Sequence, residues 1–183
     1  MNIFYLHNDT KQCAVWHNDS HVRKMIIEYA QMLSTAHRIL DGEQLIIKEN
    51  NRKKITWLLP DDRELMLYKA THINHPSCVW VRKSNNNYNW LYSLFCELCK
   101  EYTYRYDRVH LTEEKLKDSL RRPPANIKVG YFTQPTPAMD DMYRISDDSR
   151  ECYIEYYNKS KNKLGFWKNR DTPEWFKGVQ NGS

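Results

Sequence analysis

Two sets of polar residues in this 183-residue chain are spaced so that helices would gather them. His17, His21, Lys24 and Glu28 step by three or four, which lines them along one edge of a helix. A carboxylate on such an edge is partly desolvated. It can serve as a general base or steady a positive charge, and a neighbouring lysine or histidine offsets its own charge. The second set lies in "NNNYNWLYSLFCELCKEYTYRYDRVH", residues 85–110, where Glu97, Glu101 and Arg105 step by four and Glu101 can pair with Arg105. His75 stands in "NHP" beside the rigid Pro76, followed by Trp80 and Arg82, and is a candidate acid, base or phosphate partner. Arg121 and Arg122 open "RRPPANIKVGYFTQPTPAMDDMYR", where basic and aromatic residues interleave as they do on surfaces that follow a phosphate backbone and stack bases. The candidate acid–base residues are therefore Glu28, His75, His21 and Glu101. The candidate substrate-binding residues are Lys24, Trp80, Arg82, Arg105, Arg121 and Arg122. The same patterns also suit plain roles: ion pairs on a helix edge, a surface ladder, a histidine that ties a loop.

No cofactor is expected and no metal ligand set is assigned. Glycine is scarce, at five, and no glycine-rich phosphate loop occurs. The H-x-x-x-H of His17 and His21 lacks the glutamate that follows the first histidine on a metalloprotease helix. The aspartates at 140, 141, 147 and 148 form no regular cation motif. Cys96-x-x-Cys99 has no second pair and reads as two small buried helix residues.

The elements that must position these groups follow from periodicity and caps. Residues 2–6 read as a short strand or an apolar anchor, and a helix begins within 11–19. A longer helix covers 20–40, capped by Ser20 and stopped at Asp41-Gly42, with Val22, Met25, Ile26, Tyr29, Met32, Leu33, Ala36 and Leu40 on its apolar face. His37 falls off that rim and reads as surface or partner-facing. Arg38 reads as a phosphate ligand or a complement to the helix C-terminus. Short strands fill 43–68, with a turn at Pro60-Asp61-Asp62. Residues 69–83 form a loop ordered around His75-Pro76. Ser84 caps a helix running to about 106, 112–120 is a short helix ended by Pro123-Pro124, 131–141 is irregular, and 147–159 is helical. The tail from 161 is an aromatic, basic extension with a mobile end. The expected fold is a single, mostly helical α+β domain with a small antiparallel sheet or hairpin.

The formal charge is +5, from 28 Lys and Arg against 23 Asp and Glu, which suits a nucleic-acid or phosphate partner without demanding one. An aromatic fraction of 13% argues against disorder and suits stacking or partner contacts. No secretory signal or membrane span is visible, so the expected home is a reducing cytoplasm.

"NHP", the following Trp80-x-Arg82 and Glu101-x-x-x-Arg105-Tyr106 together resemble the middle of the pyrimidine-dimer DNA glycosylase family. "MNIFYLHND" and "HVRKMIIE" are similar to that family's first segments, and the tail with Trp175 and Phe176 resembles theirs in character. The resemblance implies cleavage of an N-glycosidic bond in DNA. An N-terminal amine attacks the sugar carbon and a helical glutamate stabilises the charge. It assigns that glutamate to Glu28, phosphate contacts to Arg82 and Arg105, and a DNA-facing loop to His75. The family needs a small second residue so that the initiator Met is removed. Here residue 2 is Asn, so Met1 is expected to stay and its amine to be displaced. The whole chain also resembles a group of tailed-phage proteins, which places it in a host-cell cytoplasm. Two alternatives stand beside the glycosylase: a non-catalytic phage accessory protein that binds nucleic acid or a host protein, and a metal-dependent hydrolase built on His17, His21 and His75. DNA or a nucleotide is the expected partner, a host protein the second, a membrane none.

Overall fold

The computed structural model describes residues 1–49 and 52–178. It is a mostly helical α+β fold with one two-stranded antiparallel sheet, as the sequence suggests. The elements are α1 (Thr10–Trp16), α2 (Asp19–Asp41), β1 (Glu43–Glu49), β2 (Arg52–Leu58), α3 (Arg63–Met66), α4 (Pro76–Val81), α5 (Asn85–Tyr106), α6 (Leu111–Leu116) and α7 (Ser149–Ser160), with two short 3-10 turns at Asp141–Tyr143 and Asn162–Leu164.

The long helix α2 is the axis of the molecule. Asn18, not Ser20, caps it, its side chain accepting from the His21 N–H at 2.9 Å. Gly42 ends it, and a Cβ there would sit 2.5 Å from the Arg38 carbonyl oxygen and 3.0 Å from that of Leu58. The expected apolar face is buried from Val22 to Ala36, and α1, α4, α5 and α6 gather around α2 and α5. That wrapping also buries residues the amphipathic pattern places at the surface. His37 is buried, not partner-facing: its Nε2 lies 2.8 Å from the Tyr88 hydroxyl and its Nδ1 2.9 Å from Arg63 Nη1. Arg38 is buried too. It donates to the carbonyls of Tyr68, Trp57, Glu64 and Leu67 and to the Glu64 carboxylate, which leaves no donor for a phosphate.

No strand forms at 2–6. Ile3, Phe4, Tyr5 and Leu6 are buried in extended chain, the anchor of the two readings, and the Phe4 N–H donates to the Tyr29 hydroxyl at 3.3 Å. In the hairpin Ile46 faces Ile55 across the strands, both exposed. The loop expected at 69–83 contains α4, because His75 caps it and Pro76 takes its first position, where a missing N–H costs nothing. Ser84 caps α5 as expected, and 131–140 is irregular. The tail folds back rather than extending. Trp167 and Phe176 are buried, and the Trp167 indole N–H donates to the Trp16 carbonyl at 3.0 Å. The expectation of a mobile end falls on residues 179–183, outside the described residues.

One cluster of buried side chains runs from Ile3 to Phe176. All five cysteines are free. Among the described residues no helix is long and apolar enough to cross a membrane.

Candidate active site

The buried 3–6 segment delivers the start of the chain to the exposed edge of α2. The Met1 α-amine lies 3.8 Å from Glu28 Oε2, and Lys24 Nζ lies 3.2 Å from Glu28 Oε1. One carboxylate thus faces two cationic nitrogens. The Met1 side chain is only 3% exposed, and the Cys78 thiol donates to its sulfur at 3.3 Å. The amine is therefore held from behind by packing and from in front by charge. Burial pushes the Cys78 thiol up to about 11, with Arg82 and the Met1 amine pulling the other way. That thiol stays protonated near neutrality, as a donor to the Met1 sulfur must.

A pocket of about 180 Å³ opens here, walled by Met1, Asn2, Phe4, His21, Lys24 and Glu28, with Tyr156 and Lys161 across from them. Ligand sites for drug-sized molecules run to about 300 Å³ and more. This one has room for a single small ring, with any polymer outside it. His21 is buried, stacks on Phe4 with ring centroids 4.0 Å apart, and shares a short hydrogen bond through Nδ1 with the Tyr157 hydroxyl. Burial, then the charges of His17, Lys161 and Lys24, hold its pKa down to about 2. It is a neutral wall of the pocket at any working pH. His75, at the α4 cap, stands outside the pocket wall but close enough to feel the charges of the Met1 amine and Glu28. Its Nδ1 accepts from the Ser77 N–H at 3.2 Å, which leaves the proton on Nε2. Burial, the Met1 amine and His72 lower its pKa, and Glu28 acts the other way. Among the described residues, two buried polar atoms in this region have no hydrogen-bond partner: Asn2 Oδ1, on a residue that lines the pocket, and Arg82 Nη1, one turn beyond Cys78. Buried polar atoms are nearly always paired, so such atoms point to a missing ligand or water.

The structure brings Glu28, His21, Lys24 and His75 together around Met1, with Arg82 behind. It does not bring the others. Glu101 and Arg105 are buried in a separate ion cluster. Arg105 donates to Glu101 at 2.7 Å, to Asp19 at 2.9 Å and to the Val15 carbonyl at 2.9 Å, while Arg170 donates to both Glu101 oxygens. Burial raises the Glu101 pKa, but the bonds from Arg170 and Arg105 outweigh it and the carboxyl stays below its ordinary range. Neither group can act as a general base or hold a phosphate. The cluster meets α2 at Asp19, nine residues before Glu28. Nine residues are about 14 Å of rise and half a turn of azimuth, so the cluster and the pocket lie on opposite sides of α2. Trp80 is a core residue whose indole donates to Thr133. Arg121 and Arg122 line a different cavity of about 720 Å³ with His37 and Arg63. His37 lies nine residues past Glu28, again half a turn away.

His17 is closed to metal. Its Nδ1 donates to the Cys13 carbonyl at 2.7 Å, and its Nε2 accepts from the Tyr29 hydroxyl at 2.9 Å. Among the described residues no group of three or more His, Cys, Asp or Glu side chains could hold a metal ion.

Sequence reasoning missed Lys161, Tyr156 and Phe4, which only the return of α7 and the N-terminal anchor bring to the pocket. The fold places the Met1 amine against Glu28. Comparison with models of known protein families, with curated proteins and with solved structures finds no match.

Proposed function

We propose that this protein is a glycosylase-like enzyme that acts on a base–sugar bond in DNA or a nucleotide through its own N-terminal amine. The carrying observation is the Met1 amine 3.8 Å from Glu28 at the mouth of a small pocket. In its neutral form the amine attacks the sugar C1′. The N–C1′ bond forms, the bond to the base breaks, and the base leaves with a proton that the amine has given up. The sugar ring then opens at C1′–O4′, O4′ taking up a proton from water, and yields an iminium whose positive charge faces the Glu28 carboxylate. Lys24 and Lys161 offer charge to the flanking phosphates, and neutral His21 backs the ring without competing for the proton. A base in a duplex must leave the stack to reach so small a pocket.

The test is borohydride trapping. On a strand carrying an abasic site or a damaged base, borohydride reduces the iminium to a secondary amine and leaves a covalent protein–DNA adduct. The reading expects the adduct at Met1 by peptide mass mapping, and its loss when the N-terminus is acetylated. Absence of any adduct across abasic and damaged strands sinks it. A second reading, nucleic-acid binding without turnover, is favoured by the hairpin, where the exposed cross-strand pair Ile46–Ile55 is followed, two residues toward the turn, by the pair Lys48–Lys53. Salt-sensitive binding with no adduct supports that reading instead.

A further inference from the structure

Three arginines, Arg63, Arg121 and Arg122, line the cavity of about 720 Å³ that lies across α2 from the Met1 pocket. Its size is that of a small-molecule site. We propose that it is a second ligand site, one that takes a small molecule carrying two or more linked phosphates. The donors decide it. Arg38 and Arg105 are saturated by carbonyls and carboxylates. Arg121 and Arg122 are exposed, and among the described residues their guanidiniums make no ion pair and no hydrogen bond. Two unspent guanidinium forks on one wall suit phosphate oxygens, which such forks bind in pairs. Arg63 has a different part. Its Nη1 donates to Asp41 at 2.6 Å and to His37 Nδ1 at 2.9 Å, and Asp61 takes Nε and Nη2. Its charge is answered and one N–H remains, so it is a fixed edge of the site rather than the source of attraction.

The wall that carries the two free arginines is tied to that edge at both ends. A guanidinium only donates, so His37 Nδ1 accepts from Arg63 and the imidazole proton sits on Nε2. Nε2 donates to the Tyr88 hydroxyl at 2.8 Å, and that hydroxyl donates to the Leu120 carbonyl, just before Arg121, at 2.9 Å. Past the arginines, the Asp41 carboxylate that holds Arg63 also accepts from the N–H groups of Ala125 and Asn126, each at 3.0 Å. Pro123 and Pro124, with φ fixed by their rings, lie between. A ligand therefore has only the two arginine side chains to order. Linked phosphates occur in free molecules and in nucleic-acid backbones. A strand needs a basic track that runs on beyond the cavity. Here Lys117 is paired with Glu113 at 2.7 Å, Asp61 stands on Arg63, and exposed Asp118 is on the lining itself. The basic surface is local, which fits the small molecule.

The experiment titrates the full chain with inorganic tripolyphosphate by calorimetry, at physiological salt and without metal. The expected result is a single site with a dissociation constant below millimolar. Arg121→Ala and Arg122→Ala should each weaken it by about 10-fold, the loss of one charge-assisted contact. Lys115→Ala removes the same charge from an exposed position of α6 outside the cavity, and should change the affinity by less than about twofold. Asp118→Asn should tighten binding several-fold, since it removes the carboxylate that opposes the anion. These residues are all exposed, and thermal melting checks that each variant folds. Amide NMR on the unaltered chain locates the ligand without any variant: Ala125 and Asn126 should shift, and Lys24 and Lys161 should not. Four outcomes each overturn the proposal: no binding at millimolar tripolyphosphate, a loss at either arginine no larger than at Lys115, weaker binding on Asp118→Asn, or shifts centred on Lys24 and Lys161. A short single strand that binds through Arg121 and Arg122 where tripolyphosphate does not overturns it as well, and assigns the arginines to nucleic acid.

Discussion

Two acidic side chains on this molecule look alike in sequence and differ in almost everything else. Glu28 and Glu101 each sit mid-helix with a cation four residues away. Glu101 is 4% exposed and its two oxygens take three guanidinium hydrogen bonds, from Arg105 and Arg170. Glu28 keeps part of its surface open to a pocket, and its partners at 3.2 and 3.8 Å are an exposed lysine and the Met1 amine. A saturated buried ion cluster specifies how α2, α5 and the tail meet. An undersaturated carboxylate beside an amine has capacity left for a substrate. What separates structure from chemistry here is the number of donors already spent.

The sharpest way to break that contrast is to neutralise each acid in turn. Glu28→Gln should cut the rate of adduct formation by about 100-fold or more, in the range typical of a lost acid–base or charge-stabilising group. The melting temperature should move little, because glutamine fills the same half-buried space and only two ion-pair contacts, at 3.2 and 3.8 Å, are weakened. A variant that traps at the wild-type rate removes Glu28 from the chemistry. Glu101→Gln should do the reverse. It leaves Arg170 against a neutral partner and Arg105 with Asp19 as its one remaining carboxylate, and breaking a buried pair costs about 3–5 kcal/mol. Urea denaturation measures that loss, while adduct formation per folded molecule should stay near wild type. A stability change below about 1 kcal/mol would place Glu101 among ordinary surface pairs.

The sequence carried the first half of this contrast and not the second. Spacing along α2 was enough to align His21, Lys24 and Glu28, because a helix edge is a local property. Spacing along α5 was enough to pair Glu101 with Arg105 for the same reason. Nothing local says which edge faces a hollow. The buried state of Glu101 depends on Arg170, 69 residues away. The pocket depends on Lys161 and on an N-terminal anchor whose apolar run, Ile3 to Leu6, suits strand and extended chain equally. His37 and Arg38 were misplaced for a related reason. An amphipathic pattern assumes one wet side, and at that end α2 is covered by β2, α3 and the Leu67–Tyr68 segment as well as by α5. The start of α5, by contrast, was written in a single residue, Ser84.

A third test sets the buried histidines against the buried carboxylates on the pH axis. Burial lowers His17 from its ordinary value to about 4, and lowers His21 further. Neutral histidine is then the folded form, while the unfolded chain takes up protons below about 6.5. Stability contributed by these groups is complete above that pH and declines as the pH falls toward 4, by roughly 3 kcal/mol for His17 alone. The Glu101 carboxyl, also held down, contributes its loss only below the ordinary carboxylate range. Urea midpoints from pH 7 to 4.5 should therefore decline in the histidine window. His17→Gln should make that slope shallower, with His21 and His37 supplying what remains, and a flat wild-type profile would mean that His17 is not held neutral by burial.

The smallest expected effects separate the two sides of α2. Lys24 is largely exposed, so Lys24→Met should weaken binding of an abasic strand only several-fold and reduce its salt slope by about one. Arg121→Ala, on the cavity half a turn away, should leave trapping and strand affinity unchanged if the pocket beside Met1 is where the sugar sits. The comparison gains from the small size of these effects. A strand held over the Met1 pocket passes Lys24 and Lys161, and cannot also reach Arg121 without crossing the helix that divides them. A loss with Arg121→Ala as large as with Lys24→Met would show that the bound strand wraps α2, and the contrast between an open and a closed face would have to be redrawn around the whole helix.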